Sequence, residues 1–482
     1  MLFAITGIKN RLIYLNYKGK AAIEAVLSSG HYQLTITMFI FNYSVRCFFV
    51  IVLLSIIGCK KNKDDQNNNS GGNSDTTANQ VNIEGTIYWS NQNRIRSLNL
   101  KTNAYIESPV LKYPAGNNYN APLAFDSGLI YTANRYGASC VDGTTGAIVW
   151  ERAYASTAYS SSNYSVKNSI VISGNLLYMV GYTGSDGQYA LYAIDKKSGV
   201  IKWQKATTGL YDYSTLTTPV INGEQIIVLG NNDYMSVDGL NRLICLNRNT
   251  GTVIWDKIYN ANFGSSLSVK NNILYAYKGD TAAVMAINTI DGTQKWKTPI
   301  PAGTFAEKPI FADNELIVHT ADRNPSADYY YYLDYNTGLI KGSLAESNAI
   351  FGSWAKTDLS YIAAAGLKLT AYDRKDHSVQ WQVLAQHVLD QDTIPAAVSW
   401  GVTDLLSYKD YVLQFAVWVN PNLSVADQVV IKTIYVTDIK NGKTVQRIKL
   451  PKEIPVFNPA FGFILVNQNK PYYTHNSGNV NE

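Results

Sequence analysis

The sequence predicts an all-β chain whose main body is an eight-bladed β-propeller of four-stranded antiparallel blades, closed by its C-terminal segment. Three observations predict it. A pattern of Asp or Asn, Gly four residues on and Trp four further recurs between residues 99 and 446, its units starting 39 to 65 residues apart. Apolar residues around each copy alternate with the period of two that strands require. The composition also favours strands and turns over helices, with 35 Tyr and 34 Gly against 5 Met. Only 16% of the residues are charged, so a chain of 482 residues can bury a large core. The formal charge of +5 is small and scattered, which argues against a nucleic-acid surface.

In chain order, the first signal is a ten-residue apolar run, 48–57, preceded by Arg46 and followed by Gly58-Cys59-Lys60-Lys61. A bilayer span needs about 20 apolar residues, so the run reads as the core of a signal peptide covering 38–58. The stretch Leu54-Ser55-Ile56-Ile57-Gly58-Cys59 resembles a bacterial lipobox, which implies cleavage before Cys59 and its acylation. Each methylene buried by such an anchor contributes about 0.8 kcal/mol. A leader counted from Met1 would be 58 residues long, whereas one from Met38 has ordinary length. Met38 is therefore the expected start, and 1–37 is expected not to belong to the native protein; a precursor peptide from 1–37 in mass spectrometry would overturn this. Residues 60–80 are rich in Asn, Asp, Gly and Ser and contain no aromatic residue, so 59–80 is expected to be a lipidated Cys and a disordered tether. Cys59 to Asp65 also resembles the acidic export signal of Bacteroidota surface lipoproteins, with a merely solvated tether as the alternative. The expected location is the outer membrane, touched through the lipid anchor alone, with the leaflet left open.

The repeats fill 81–482. Complete copies are Asp142-Gly146-Trp150, Asp195-Gly199-Trp203, Asn247-Gly251-Trp255 and Asn288-Gly292-Trp296. Asp334-Gly338 ends in Gly342, Asp373 and Trp381 flank His377, and Asp438-Gly442 ends in Gln446. Asn99-Asn103-Glu107 holds the register in worn form. The Asp or Asn side chain suits capping of a turn, the Gly suits its positive-φ position, and the Trp suits wedging between neighbouring sheets. The segment 193–203, Ala-Ile-Asp-Lys-Lys-Ser-Gly-Val-Ile-Lys-Trp, resembles the tryptophan-docking repeat of the pyrroloquinoline-quinone (PQQ) enzyme family. The same repeat occurs in the propeller lipoprotein of the outer-membrane barrel-assembly machinery. The resemblance implies the fold and does not by itself imply an activity.

The first unit begins at its second strand, so the segment 458–466 is the expected donor of the missing inner strand, which removes an exposed sheet edge. Cys140 and Cys245 occupy the same register two blades apart, beyond the roughly 7 Å between Cα atoms that a disulfide tolerates. Both are expected to be free. Ser353-Trp354-Ala355-Lys356-Thr357-Asp358 and Ser399-Trp400-Gly401-Val402-Thr403-Asp404 read as echoes of the repeat.

Little catalytic chemistry is visible. His319, His377, His387 and His475 are isolated and lack metal-ligand spacing. Alcohol-oxidising quinoproteins, which the repeat resembles, carry an adjacent Cys-Cys pair, calcium-binding carboxylates and a catalytic Asp; none of these motifs occurs here. No cofactor and no catalytic or metal-ligating residue is therefore expected. The turns of one face are short, and the long connections fall on the other. Those connections carry Tyr113, Tyr119, Tyr159, Tyr211 and Tyr213, with Phe263, Asp186 and Asp238, a set suited to recognition. The leading expectation is a non-catalytic, monomeric scaffold that binds an envelope protein through this face. The alternatives are a glycan-binding surface lipoprotein and a PQQ-dependent oxidoreductase.

Overall fold

The structure, a computed structural model, describes residues 22–29 and 32–39 and, between 83 and 473, all but several segments connecting strands. The chain divides into two units. In Met1–Asp75, the strands Ala22–Ser29 and Tyr32–Phe39 pair antiparallel. The apolar run 48–57, Cys59 and the tether lie outside the described residues.

The second unit, Thr76–Glu482, is a propeller of eight antiparallel blades, with no helix among the described residues. Blade 3 shows the plan: Val171–Ser173, Leu176–Tyr182, Gln188–Asp195 and Ile201–Tyr211 lie side by side in sequence order, from inner to outer strand. Successive side chains on a strand point to opposite faces, and each face of a blade meets a different neighbour. Leu177 and Met179 pack with Tyr131 and Trp150 of blade 2, whereas Tyr178 and Val180 pack with Ile226 and Val228 of blade 4. The core is accordingly divided into slabs between blades. Among the described residues, such clusters join every consecutive pair from blades 1 and 2 round to blades 8 and 1.

Closure occurs in blade 1. Its inner strand is Ile464–Asn467, paired with Thr86–Asn91, and a further strand, Lys470–Tyr473, lies on the free side of Ile464–Asn467. The donated strand thus starts later than the expected 458–466, of which 458–462 lies outside the described residues. The fifth strand was not foreseen. Phe463 is fully buried, stacked on Phe415 of blade 8 at 3.7 Å and tilted against Trp89 of blade 1.

The motif turns explain the blade spacing. In the Asp142 turn, Oδ1 accepts from the backbone N–H groups of Thr144 and Thr145, and the Gly146 N–H donates to the Asp142 carbonyl at 2.8 Å. The same closure recurs at Asn99, Asp195, Asn247, Asn288, Asp334, Asp373 and Asp438. The fifth residue of each turn has positive φ: Gly in six turns, Asn103 and His377 in the others. Each motif Trp then lies on the turn Gly of the next blade. A Cβ on Gly199 would sit 2.7 Å from the Trp150 ring, and Gly251, Gly292, Gly338 and Gly442 are covered likewise by Trp203, Trp255, Trp296 and Trp381. The indole N–H groups of Trp150, Trp203, Trp255 and Trp381 donate to backbone carbonyls of that next turn. At blade 6 the Tyr275 hydroxyl donates to the Tyr335 carbonyl instead.

Candidate functional site

Antiparallel blades place the turns between first and second strands, and the motif turns, on one face; the other connections fall on the opposite face. The two faces differ in build. On the turn face, the residue after the motif Asp or Asn reaches back to the preceding blade. Lys196 Nζ lies 2.6 Å from Asp126, Arg248 bonds Ser173, and Arg374 bonds Asp313. Asn222 and Gln225 of blade 4 make the converse bonds to Thr289 of blade 5. These cross-links, together with the capped turns, leave the turn face little freedom to adapt to a ligand.

The opposite face carries the long connections, for instance between Tyr211 and Val220, between Asn231 and Leu240, and between Val419 and Val429. Blade 6 has second to fourth strands of 9, 9 and 8 residues, and blade 8 is longer still in its inner and outer strands. Its strands, Val398–Tyr408, Tyr411–Val419, Val429–Asp438 and Thr444–Pro455, have 11, 9, 10 and 12 residues. Those of blade 2 have 3, 6, 6 and 6. Turn-face ends are fixed by the repeat, so three or more extra residues at about 3.3 Å each carry the sheet about 10 Å further than blade 2 on the loop face. In the extension Val398 pairs with Val419 and Ser399 with Trp418, while Val429 and Val430 pair with Val419 and Trp418. Prolines and lysines at 449–455 occupy its outer strand, where they disfavour further strand pairing. The sequence reading missed this sheet because 398–404 resembled a repeat echo. The run of Val, Ile and Trp residues at 416–419 and 429–431 was the available signal.

The expected recognition residues fare unevenly. Phe263 is not on a binding face: it is 2% exposed, at the start of the inner strand Phe263–Lys270, packed edge-on against Tyr259. Tyr113 is half-buried, its ring lying where a Cβ on Gly137 would be. Tyr154, on the same face, donates its hydroxyl to the Gly199 carbonyl and stacks on Tyr192. These rings hold connections against the body. Tyr211 ends the outer strand of blade 3, opposite Gln188. Tyr119, Tyr159, Tyr213, Asp186 and Asp238 lie outside the described residues.

Cys140 and Cys245 are free and buried in blades 2 and 4. Burial pushes both thiols up to about 12, so neither is a nucleophile at neutral pH. Being two blades apart, they do not fit the adjacent thiol pair of a quinone site. No group of three His, Cys, Asp or Glu side chains suited to a metal ion occurs among the described residues. His319 is buried and stacks on Tyr330 at 4.7 Å, within blade 6.

The model of one protein family, outer membrane protein assembly factor BamB, matches residues 74–243 and 239–452. No curated protein matches the chain in sequence. Among solved structures, dihydro-heme d1 dehydrogenase NirN is similar with a TM-score of 0.52 and 13% identity, over 80% of this chain and 76% of that one. BamB from Moraxella catarrhalis gives 0.45 and 13%, over 73% and 94% of the two chains. The quinohemoprotein alcohol dehydrogenase ADHIIG from Pseudomonas putida HK5 gives 0.46 and 12%, over 71% and 69%. At these identities the likeness is one of fold.

Proposed function

The chain belongs to the outer membrane protein assembly factor BamB family, and from that premise we propose a non-catalytic envelope lipoprotein that binds a partner protein through its loop face. Cys59 carries the anchor, residues 60–80 form the tether, and a single closed propeller presents the surface. The observation that carries this reading is the contrast between faces. One is locked by capped turns and interblade bonds, whereas the other bears the long connections and the raised sheet of blade 8. A rigid scaffold with elaborated loops on one side is the usual arrangement of a recognition protein.

The test is crosslinking in intact membranes followed by purification of the chain. Wild-type protein is expected to retain one stable partner. A variant in which 416–431 is replaced by a two-residue turn is expected to lose that partner while keeping its melting temperature. Equal recovery by both proteins would remove the loop face from the reading. Absorbance of a bound quinone after adding PQQ and calcium would replace the scaffold with an oxidoreductase.

A further inference from the structure

We propose that the turn face carries a preformed binding site for a neutral oligosaccharide, set between blades 1 and 2 and running inward to blade 3. The site is on the face opposite the long connections, so it stands whether or not the loop face holds a protein partner.

The site arises from a gap in the interblade clasps. At seven of the eight junctions, the residue after the motif Asp or Asn reaches the preceding blade. Lys196, Arg248 and Arg374 do so by ion pairs or hydrogen bonds, and Thr289 by accepting from Asn222. Tyr335 lies under Lys270 at 5.2 Å, while Leu100 and Ile439 pack into the slabs shared with blades 8 and 7. Between blades 1 and 2 the residue is Gly143, which has no side chain to send across. The blade 1 turn it faces, Gln468-Asn469, is left unclasped. Both residues are exposed, and among the described residues their side chains have no hydrogen-bond partner.

A recess of about 430 Å³ opens there, its lining including Thr86, Tyr88, Thr144, Asn467, Gln468 and Asn469. Phe125 borders it and also borders a second recess of about 530 Å³, which continues along the inner strands of blades 2 and 3 past Ile172, Asn175 and Tyr473. Each has the volume of a small-molecule site, and the two in line suit a ligand of more than one ring.

The lining selects the ligand. Its charged groups are already paired, Glu84 with Lys101 at 3.5 Å and Asp126 with Lys196 at 2.6 Å. A charged ligand has to separate one of these pairs, so the site favours a neutral one. What remains are carboxamides and hydroxyls, which donate and accept hydrogen bonds as sugar hydroxyls do. Tyr473 is half-buried, so part of its side chain is open to the C–H face of a pyranose. An extended peptide needs unpaired backbone groups, whereas the backbone here is closed into a turn between the paired residues Asn467 and Lys470.

The site is also rigid. Gln468 and Asn469 have φ of 51° and 62°, the left-handed pair of a two-residue hairpin turn. Asn467 in turn bonds the Tyr408 hydroxyl of blade 8. The backbone that presents the polar side chains is fixed before a ligand arrives, which limits the ordering cost of binding.

Saturation-transfer-difference NMR and titration calorimetry on the full-length chain test the assignment. The probes are maltotriose, cellotriose and chitotriose, with a blocked alanine tripeptide for comparison. At least one trisaccharide is expected to bind. Gln468→Gly with Asn469→Gly keeps a turn that accepts positive φ, and is expected to weaken that binding several-fold with little change in melting temperature. Gly143→Arg, which supplies the missing clasp, is expected to abolish binding; if that variant does not fold, the turn variant decides alone. Failure of all three trisaccharides to bind, or binding that the turn variant leaves unchanged, would overturn the site. Tighter binding of the tripeptide, weakened by the same turn variant, would replace the saccharide with a peptide.

Discussion

At five blade junctions one indole and one glycine meet, and the glycine is needed twice over, for its positive φ and for the space above it. Gly251 has φ of 71°, and a Cβ there would lie 2.7 Å from the Trp203 ring. Gly223 has φ of 56° but open space around it. Gly223→Ala is therefore expected to cost about 1 kcal/mol, the backbone contribution alone, and Gly251→Ala about 2–4 kcal/mol, because the Trp must also move. Denaturant midpoints of the two variants check the difference. Three junctions lack the indole, and two of them lack the glycine as well; at the third, between blades 1 and 2, Glu107 holds the Trp position and Ile106 covers Gly146. In the other two, Gly342 of blade 6 faces His377 of blade 7, and Gln446 of blade 8 faces Asn103 of blade 1. The His377 ring fills the vacated space, stacked on Tyr332 at 3.6 Å and with Nε2 2.9 Å from Glu315. Gly342→Trp alone is then expected to destabilise by about 1–3 kcal/mol, since ring and imidazole compete for one site. Adding His377→Gly is expected to recover most of that loss, a coupling that a double-mutant cycle in thermal or denaturant unfolding measures.

The capped turn is the element that repeats, and its carboxylates give it a pH dependence. Hydrogen bonds hold the carboxyls of Asp142, Asp195 and Asp334 below the usual carboxylate range: chiefly the Thr145 N–H for the first, the Ser198 hydroxyl for the second and the Thr337 N–H for the third. A group whose folded pKa is lowered binds its proton more readily in the unfolded chain. Its contribution is thus present above the unfolded pKa of about 3.9 and is lost as pH falls through the lower folded value. Asn247 makes the same bonds to Asn249 and Thr250 with an amide oxygen that does not titrate in this range. The variant carrying Asn at 142, 195 and 334 is therefore expected to keep its neutral-pH melting temperature and to lose less of it below about pH 4 than wild type. These turns were legible in the sequence because a local constraint fixes residue type at fixed spacing. The connecting segments were not. The stretch Asn260-Ala261-Asn262-Phe263-Gly264-Ser265-Ser266 has turn composition, yet Phe263 opens a strand that stays paired through an irregularity between Phe263 and Leu267. Burial against the next blade overrides local propensity there, and no local pattern records it. The raised sheet of blade 8 escaped for a related reason, since length beyond the ring is a property of the assembled blade.

Ring closure belongs to the whole molecule, because no blade can bury both of its faces alone. Each of the eight slabs is made by two blades, and the slab between blades 8 and 1 draws Phe463 and Leu465 from the C-terminal end of the chain. Ile464 and Val466, on the opposite side of the same strand, enter the slab between blades 1 and 2. One short strand therefore seals two junctions, and neither of them has a motif Trp. Lys470–Tyr473 adds to the seal: Tyr472 meets Tyr408 of blade 8 edge-on at 4.9 Å, and the Tyr473 hydroxyl reaches the Phe125 N–H of blade 2 at 3.4 Å. Burying four such side chains is worth about 6–12 kcal/mol, as large as the whole stability of an ordinary domain. Ending the chain at residue 462 is then expected to leave no folded monomer, only aggregated or proteolysed material, with Thr86–Asn91 exposed as an unpaired edge. Supplying 463–473 as a separate peptide should restore a compact species in size-exclusion chromatography, as strand addition to an open edge does. A truncated chain that melts cooperatively at the wild-type temperature without the peptide would show that the other six junctions hold the ring, and that the C-terminal strand only covers it.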